Sequence, residues 1–172
     1  MNQQTFRAQW NHIRQLVGIA NRLVEAVPES KLDSAPIAHM RTVKELVAHA
    51  YGVAIRDCME GLASGELKES NEKTAILSLK TRADLLRYCD ECWTAANRAA
   101  ETVTDEKLKA MVKTPWGHDM PGAAIVGVTL DEFLHHRGQL YAYLRTLGCE
   151  VPMMWDFEHN APGFQPAAHA TA

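Results

Sequence analysis

Apolar positions recur along this chain at helical spacing, and four stretches keep that spacing long enough to predict helices. In the first, Trp10, Ile13, Val17, Ala20, Val24 and Val27 follow one another in steps of three and four, and Pro28 closes the pattern. Pro28 to Met40 contains two prolines and several small polar residues, which predicts a loop with room for a short helical turn. Thr42 then offers a hydroxyl to an orphan backbone N–H, and Glu45 three residues on completes a capping box. The helix it opens presents Val43, Leu46, Val47, Ala50, Val53, Ala54 and Cys58 on one face, with Gly61 and Gly65 breaking the pattern. Leu79, Ala83, Leu86, Trp93, Ala96, Ala100 and Val103 carry the third helix.

From Asp105 to Gly122 the character changes. The run KTPWGHDMPG holds two prolines, two glycines and a tryptophan and cannot sustain a helix. A short helix and a long crossover fit it. The fourth helix is predicted from about Ala123 to Leu147, roughly 37 Å at 1.5 Å per residue, and Gly148 suits its C-terminal stop. No stretch alternates at period two long enough to propose a sheet. The fold class expected is therefore all-α, a four-helix bundle over residues 1–155 with a long crossover before the last helix. Residues 156–172 form a tail. The aromatic stretch from Val151 is expected to pack on the bundle, with Met153, Met154 and Trp155 either lining the mouth of a pocket or, the preferred reading, closing the core, and the last six or so residues to fray.

At 172 residues, with 47% hydrophobic and 23% charged, the chain suits one globular domain. A formal net charge of −3 argues against a nucleic-acid partner or an anionic membrane surface. The first residues have no apolar core behind a basic start, and no stretch nears the roughly 20 apolar residues that cross a bilayer. A cytoplasmic location is the expectation. Four cysteines, Cys58, Cys89, Cys92 and Cys149, are too few and uneven for a secreted disulfide scaffold, so they read as free thiols. Cys89 and Cys92 form a C-x-x-C inside a helical pattern, where small buried side chains are expected.

The chemistry concentrates on the fourth helix. At 100° per residue Val126, Phe133, Leu140, Leu144 and Leu147 share one stripe, with His136 inside the core arc and Glu132 one turn earlier at its edge. His135 and Asp131 point the other way. A carboxylate and an imidazole one turn apart can close on one ion. On the second helix His49 flanks the apolar stripe, and side-by-side packing of the two helices would complete a triad of His49, Glu132 and His136. From periodicity alone, His49 also fits a satisfied interfacial histidine, and Glu132 with His136 a simple salt link. Arg137 projects into the apolar arc, where it needs a carboxylate or carbonyl tie between helices, or a substrate carboxylate. His118 and His135 are auxiliary candidates. No further catalytic residue is assigned.

Two stretches, TVKELVAHAYG and EFLHHRGQLYAYLRTLGCEVP, carry a resemblance. The sequence resembles the DinB-like family of bacterial four-helix metalloproteins, which includes proteins similar to bacillithiol and mycothiol transferases. The resemblance covers about residues 5 to 155 and places His49 at the family's first metal histidine and His136 at its last. The family pattern usually reads H-x-x-H-H-R-G-Q, so its middle ligand falls on Glu132, a departure from histidine. It implies a divalent metal ion, nickel or zinc foremost, with manganese or iron as further options, and a homodimer. A carboxylate ligand shifts the preference toward harder ions and makes a coordinated water less acidic. The implied activity is a metal-dependent thiol S-transferase acting on a small thiol and an electrophile. Metal-dependent hydrolysis of a small substrate and a non-enzymatic, stress-related role with a structural metal are the alternatives. The acidic charge speaks against DNA binding, whatever the family's DNA-damage name suggests.

Overall fold

In a computed structural model, which describes residues 1–166, the chain forms the expected all-α bundle. The long helices are α1 (Gln3–Glu25), α2 (43–64), α4 (Arg82–Glu101) and α6 (Gly122–Thr146). Between them lie two short helices, α3 (Glu72–Ser78) and α5 (Asp105–Lys109), and an antiparallel pair of two-residue strands, β1 (Met111–Val112) and β2 (Met120–Pro121). α4 and α6 each pack against both α1 and α2, so α1 stands diagonally from α2. That diagonal step explains the long first loop, and the passage from α4 to α6 needs the second long connection.

Caps fix the helix starts. The Asn2 side chain accepts from the Thr5 N–H at 2.9 Å, and Thr42 with Glu45 forms the capping box at the head of α2. A second box, Thr81 with Asp84, starts α4 two residues after Leu79, where the apolar pattern alone had begun it. α2 runs past Gly61, a buried position whose added β-carbon would stand 2.8 Å from Leu67 Cβ, and stops at Gly65 with φ 87°. α3 and the strand pair are too short to leave a periodic signal, and the hydrophobic pattern passes over both.

The core of α2 has an unusual spacing. Buried pairs recur every four residues, at Leu46 and Val47, Ala50 and Tyr51, Ala54 and Ile55, and Cys58 and Met59, with Val43, Ala48, Gly52, Gly61 and Leu62 also buried. In a straight α-helix each such step would drift about 40° off the face. The helix widens to π winding from His49 to Asp57, over the stretch that packs on α4 and α6. Tyr51 thereby meets Phe133 of α6 edge-on, at 5.8 Å between ring centroids. Cys89 and Cys92 are buried in the core on α4.

The tail departs from expectation in how it docks. Met153 and Trp155 are each 64% exposed and Met154 40%, so this run does not close the core. Polar anchors on α1 hold the tail instead. Arg22 pairs with Asp156 at 2.8 Å, and the Asn160 amide donates to the carbonyls of Gln15 at 2.9 Å and Phe164 at 3.0 Å. Phe164 lies beside Trp93. The expected fraying falls on residues 167–172, outside the described residues.

Gly18 is what lets this segment approach α1, because a β-carbon there would stand 2.5 Å from Phe164 Cβ and 2.6 Å from Asn160 Cγ. Gly18→Ala should lower stability by about 1–3 kcal/mol, the usual range for forcing atoms into a packed site. Protease cleavage beyond residue 150 should become faster in the same variant. A melting curve and a timed digest indistinguishable from those of the parent would refute this docking.

Candidate metal centre

His49 sits where α2 passes from α to π winding, and His136 lies on the buried face of α6. Packing of these helices brings their rings to 4.7 Å between centroids at 87°. Glu132, one turn before His136 and half exposed, places Oε2 at 3.2 Å from His136 Nε2. Ligand atoms from His49, Glu132 and His136 all lie within 4.8 Å of one another, a group able to hold a divalent metal ion.

The surrounding hydrogen bonds show which ring nitrogens are free. His49 Nδ1 donates to the Glu72 carboxylate at 2.7 Å. His136 Nδ1 donates to Gln139 Oε1 at 3.0 Å, and the Gln139 amide donates in turn to His135 Nε2 at 3.0 Å. Both imidazoles therefore keep a lone pair on Nε2. Burial, with His49 alongside, holds His136 below the usual imidazole value, which keeps that lone pair unprotonated at neutral pH. With Nε2 unprotonated, His136 and the Glu132 carboxylate face each other as two acceptors, an arrangement that a proton on Nε2 or a metal cation between them relieves. Two ligands on one tetrahedral ion at about 2.1 Å would stand roughly 3.4 Å apart, close to the separation found here.

Glu72 was missed by sequence reasoning because α3 was missed. Its only signal is a carboxylate opening a short polar helix after Asn71, which nothing local ties to His49. A carboxylate behind a ligating imidazole fixes its tautomer and raises its basicity. His135, expected as an auxiliary group, accepts a hydrogen bond from the Gln139 amide and stands outside the ligand group. His118 and Asp131 are exposed and stand outside the ligand group. Arg137 is buried as expected, yet the tie foreseen for it is absent. Its Nη1 has no partner among the described residues, and Tyr141 and Tyr51 are its polar neighbours.

A bundle with an imidazole–carboxylate–imidazole group between two helices defines a candidate metalloprotein class. The chain belongs to the DinB family, whose model matches residues 1–166. It is similar to a solved DinB-like protein from Bacillus cereus ATCC 10987 at 19% identity and TM-score 0.71, over 89% of this chain and 99% of that one. A DinB-like protein from Bacillus subtilis shares 20% identity at TM-score 0.65, over 80% of this chain and 90% of that one. At such identities the likeness speaks to the fold. No curated protein matches the sequence.

Removing the carboxylate behind His49 should weaken metal binding without removing a ligand. Glu72→Gln is expected to lower affinity about 10- to 100-fold, measured by competition with a chelating dye. Unchanged affinity would make Glu72 a bystander. A pH effect follows from His136 in the metal-free protein. Its folded pKa lies below 6.5, so as pH falls the unfolded chain takes up this proton first. Stability should drop from about pH 6.5 downward until His136 itself is protonated, and His136→Gln should show a shallower fall in urea midpoints.

Proposed function

We propose that His49, Glu132 and His136 hold one divalent metal ion, and that the protein uses it to join a small thiol to an electrophilic carbon, the thiol giving up its proton to solvent and the leaving group departing with the electron pair of its bond to carbon as the carbon–sulfur bond forms. The observation that carries this reading is a cleft of about 190 Å³ opening on His49 and Glu132, lined otherwise by Val53, Ala54, Cys58, Trp116 and Val128. A purely structural centre closes its coordination with protein atoms, whereas a reactive one keeps an open approach. When bound, the ion supplies a Lewis acid that lowers the pKa of a coordinated thiol. Nickel and zinc suit the two imidazoles, and Glu132 widens the choice to manganese or iron.

The residues around the cleft support the thiol reading. Apolar walls keep water scarce and favour a soft sulfur nucleophile over solvent. Burial pushes the Cys58 thiol up to about 12, so in the metal-free protein it stays protonated at neutral pH. Trp116, brought over the site by the loop between β1 and β2, forms the outer wall. Hydrolysis finds less support, because it needs a base that is not a ligand. Glu132 belongs to the ligand group, and His135 is engaged with Gln139 outside the cleft lining.

A panel of low-molecular-weight thiols with one alkylating electrophile tests the activity. Carbon–sulfur bond formation should require added metal, stop on chelation, and return to the uncatalysed rate in His136→Ala. No metal-dependent rate with any thiol would sink the proposal, and thiol-independent ester cleavage would favour hydrolysis instead.

A further inference from the structure

On α6, Arg137, Tyr141 and Arg145 follow one another at one helical turn each and so form a single stripe. The Arg145 guanidinium lies 5.4 Å from the centre of the Tyr141 ring. Arg22 of α1, which anchors the tail, joins them from across the helix interface. Burial raises the pKa of the Tyr141 hydroxyl, and Arg137, Arg22 and Arg145 all act against that rise, which places three guanidinium groups around one phenol.

Four buried side-chain nitrogen or oxygen atoms lack a hydrogen-bond partner among the described residues, and three of them belong to this cluster: Arg22 Nε, Arg137 Nη1 and the Tyr141 hydroxyl. All three can donate, and none has an acceptor. Arg137 is only 8% exposed and cannot lose its proton, yet no carboxylate pairs with it or with Arg145 among the described residues. The carboxylate at hand, Asp156, is already taken, since it accepts from Arg22 Nη1 at 2.8 Å and from His159 Nδ1 at 2.5 Å. A water molecule would accept the free hydrogen bonds but leave the buried charge unbalanced, which is strongly unfavourable. A substrate carboxylate does not suit the place either. None of these residues lines the cleft on His49 and Glu132, and Tyr141 is only 4% exposed.

We infer that Arg22, Arg137 and Tyr141 hold a buried monovalent anion of about the size of chloride. It takes hydrogen bonds from Arg137 Nη1 and the Tyr141 hydroxyl and shares the Arg22 guanidinium with Asp156. The anion thereby ties α6 to α1 and to the docked tail, one residue along the helix from His136. Nothing in this seat depends on what the metal centre binds.

Thermal melts of the full-length protein in the presence of a chelator, with sodium chloride exchanged for sodium gluconate at constant ionic strength, test the seat, gluconate being too large for it. The midpoint should climb with chloride and saturate, by about 3–6 °C at ten times the dissociation constant. Tyr141→Phe keeps the ring and removes one charge-assisted donor, so half-saturation should need about tenfold more chloride. Arg137→Met removes both the charge and its need for an anion and should abolish the rise; if that variant does not fold, Tyr141→Phe decides alone. In crystals grown with bromide, an anomalous peak should lie within hydrogen-bond reach of Arg137 Nη1 and the Tyr141 hydroxyl. A peak there with no chloride-dependent rise would mean an adventitious ion only and overturn the seat. So would water in place of the peak, or a rise that the variants leave intact.

Discussion

Three electron-pair donors facing one another across a helix interface are the constraint on which the rest depends. His49, Glu132 and His136 bring ligand atoms within 4.8 Å of one another, and without their protons these groups repel unless a proton or a metal ion lies between them. The bundle makes such a meeting affordable by packing α2 directly on α6 and leaving Glu132 half exposed. Around it, the hydrogen bonds point one way. Glu72 and Gln139 take the Nδ1 protons, so both rings turn Nε2 toward the same place.

The winding of α2 connects the fold to that centre. His49 opens the π segment of α2, and Tyr51 within that segment packs against Phe133 of α6. π segments often occur at functional sites because the widened turn re-aims a side chain while the core contacts continue. The connections then complete the surroundings. The segment between α2 and α4 contributes Glu72, and the loop before α6 contributes Trp116. The centre is thus completed by connections that carry little of the core.

Much of this was legible in the residues. The four long helices follow from apolar periodicity, the capping box at Thr42 from its spacing, and the choice of Glu132 and His136 over Asp131 and His135 from a simple helical projection. What periodicity could not supply were elements too short to show a period, namely α3 and the strand pair, and with α3 went Glu72. The repeat of four in α2 was visible in the sequence, yet an assumed 100° per residue reads it as an ordinary stripe and counts half-buried Val53 with the core. Arg137 and Trp155 were misjudged for a common reason. Hydropathy pattern says which side chains favour burial, but it does not say whether a buried guanidinium finds a partner, and the Arg22 anchor that settles the tail comes from a distant segment.

Metal stoichiometry measures the central claim most directly. After equilibrium dialysis against a divalent ion, elemental analysis should find one ion per chain in the parent and none above background in His49→Ala and His136→Ala, all three remaining folded by circular dichroism. Occupancy unchanged in both variants, or absent from the parent with nickel, zinc, manganese and iron alike, would contradict the account.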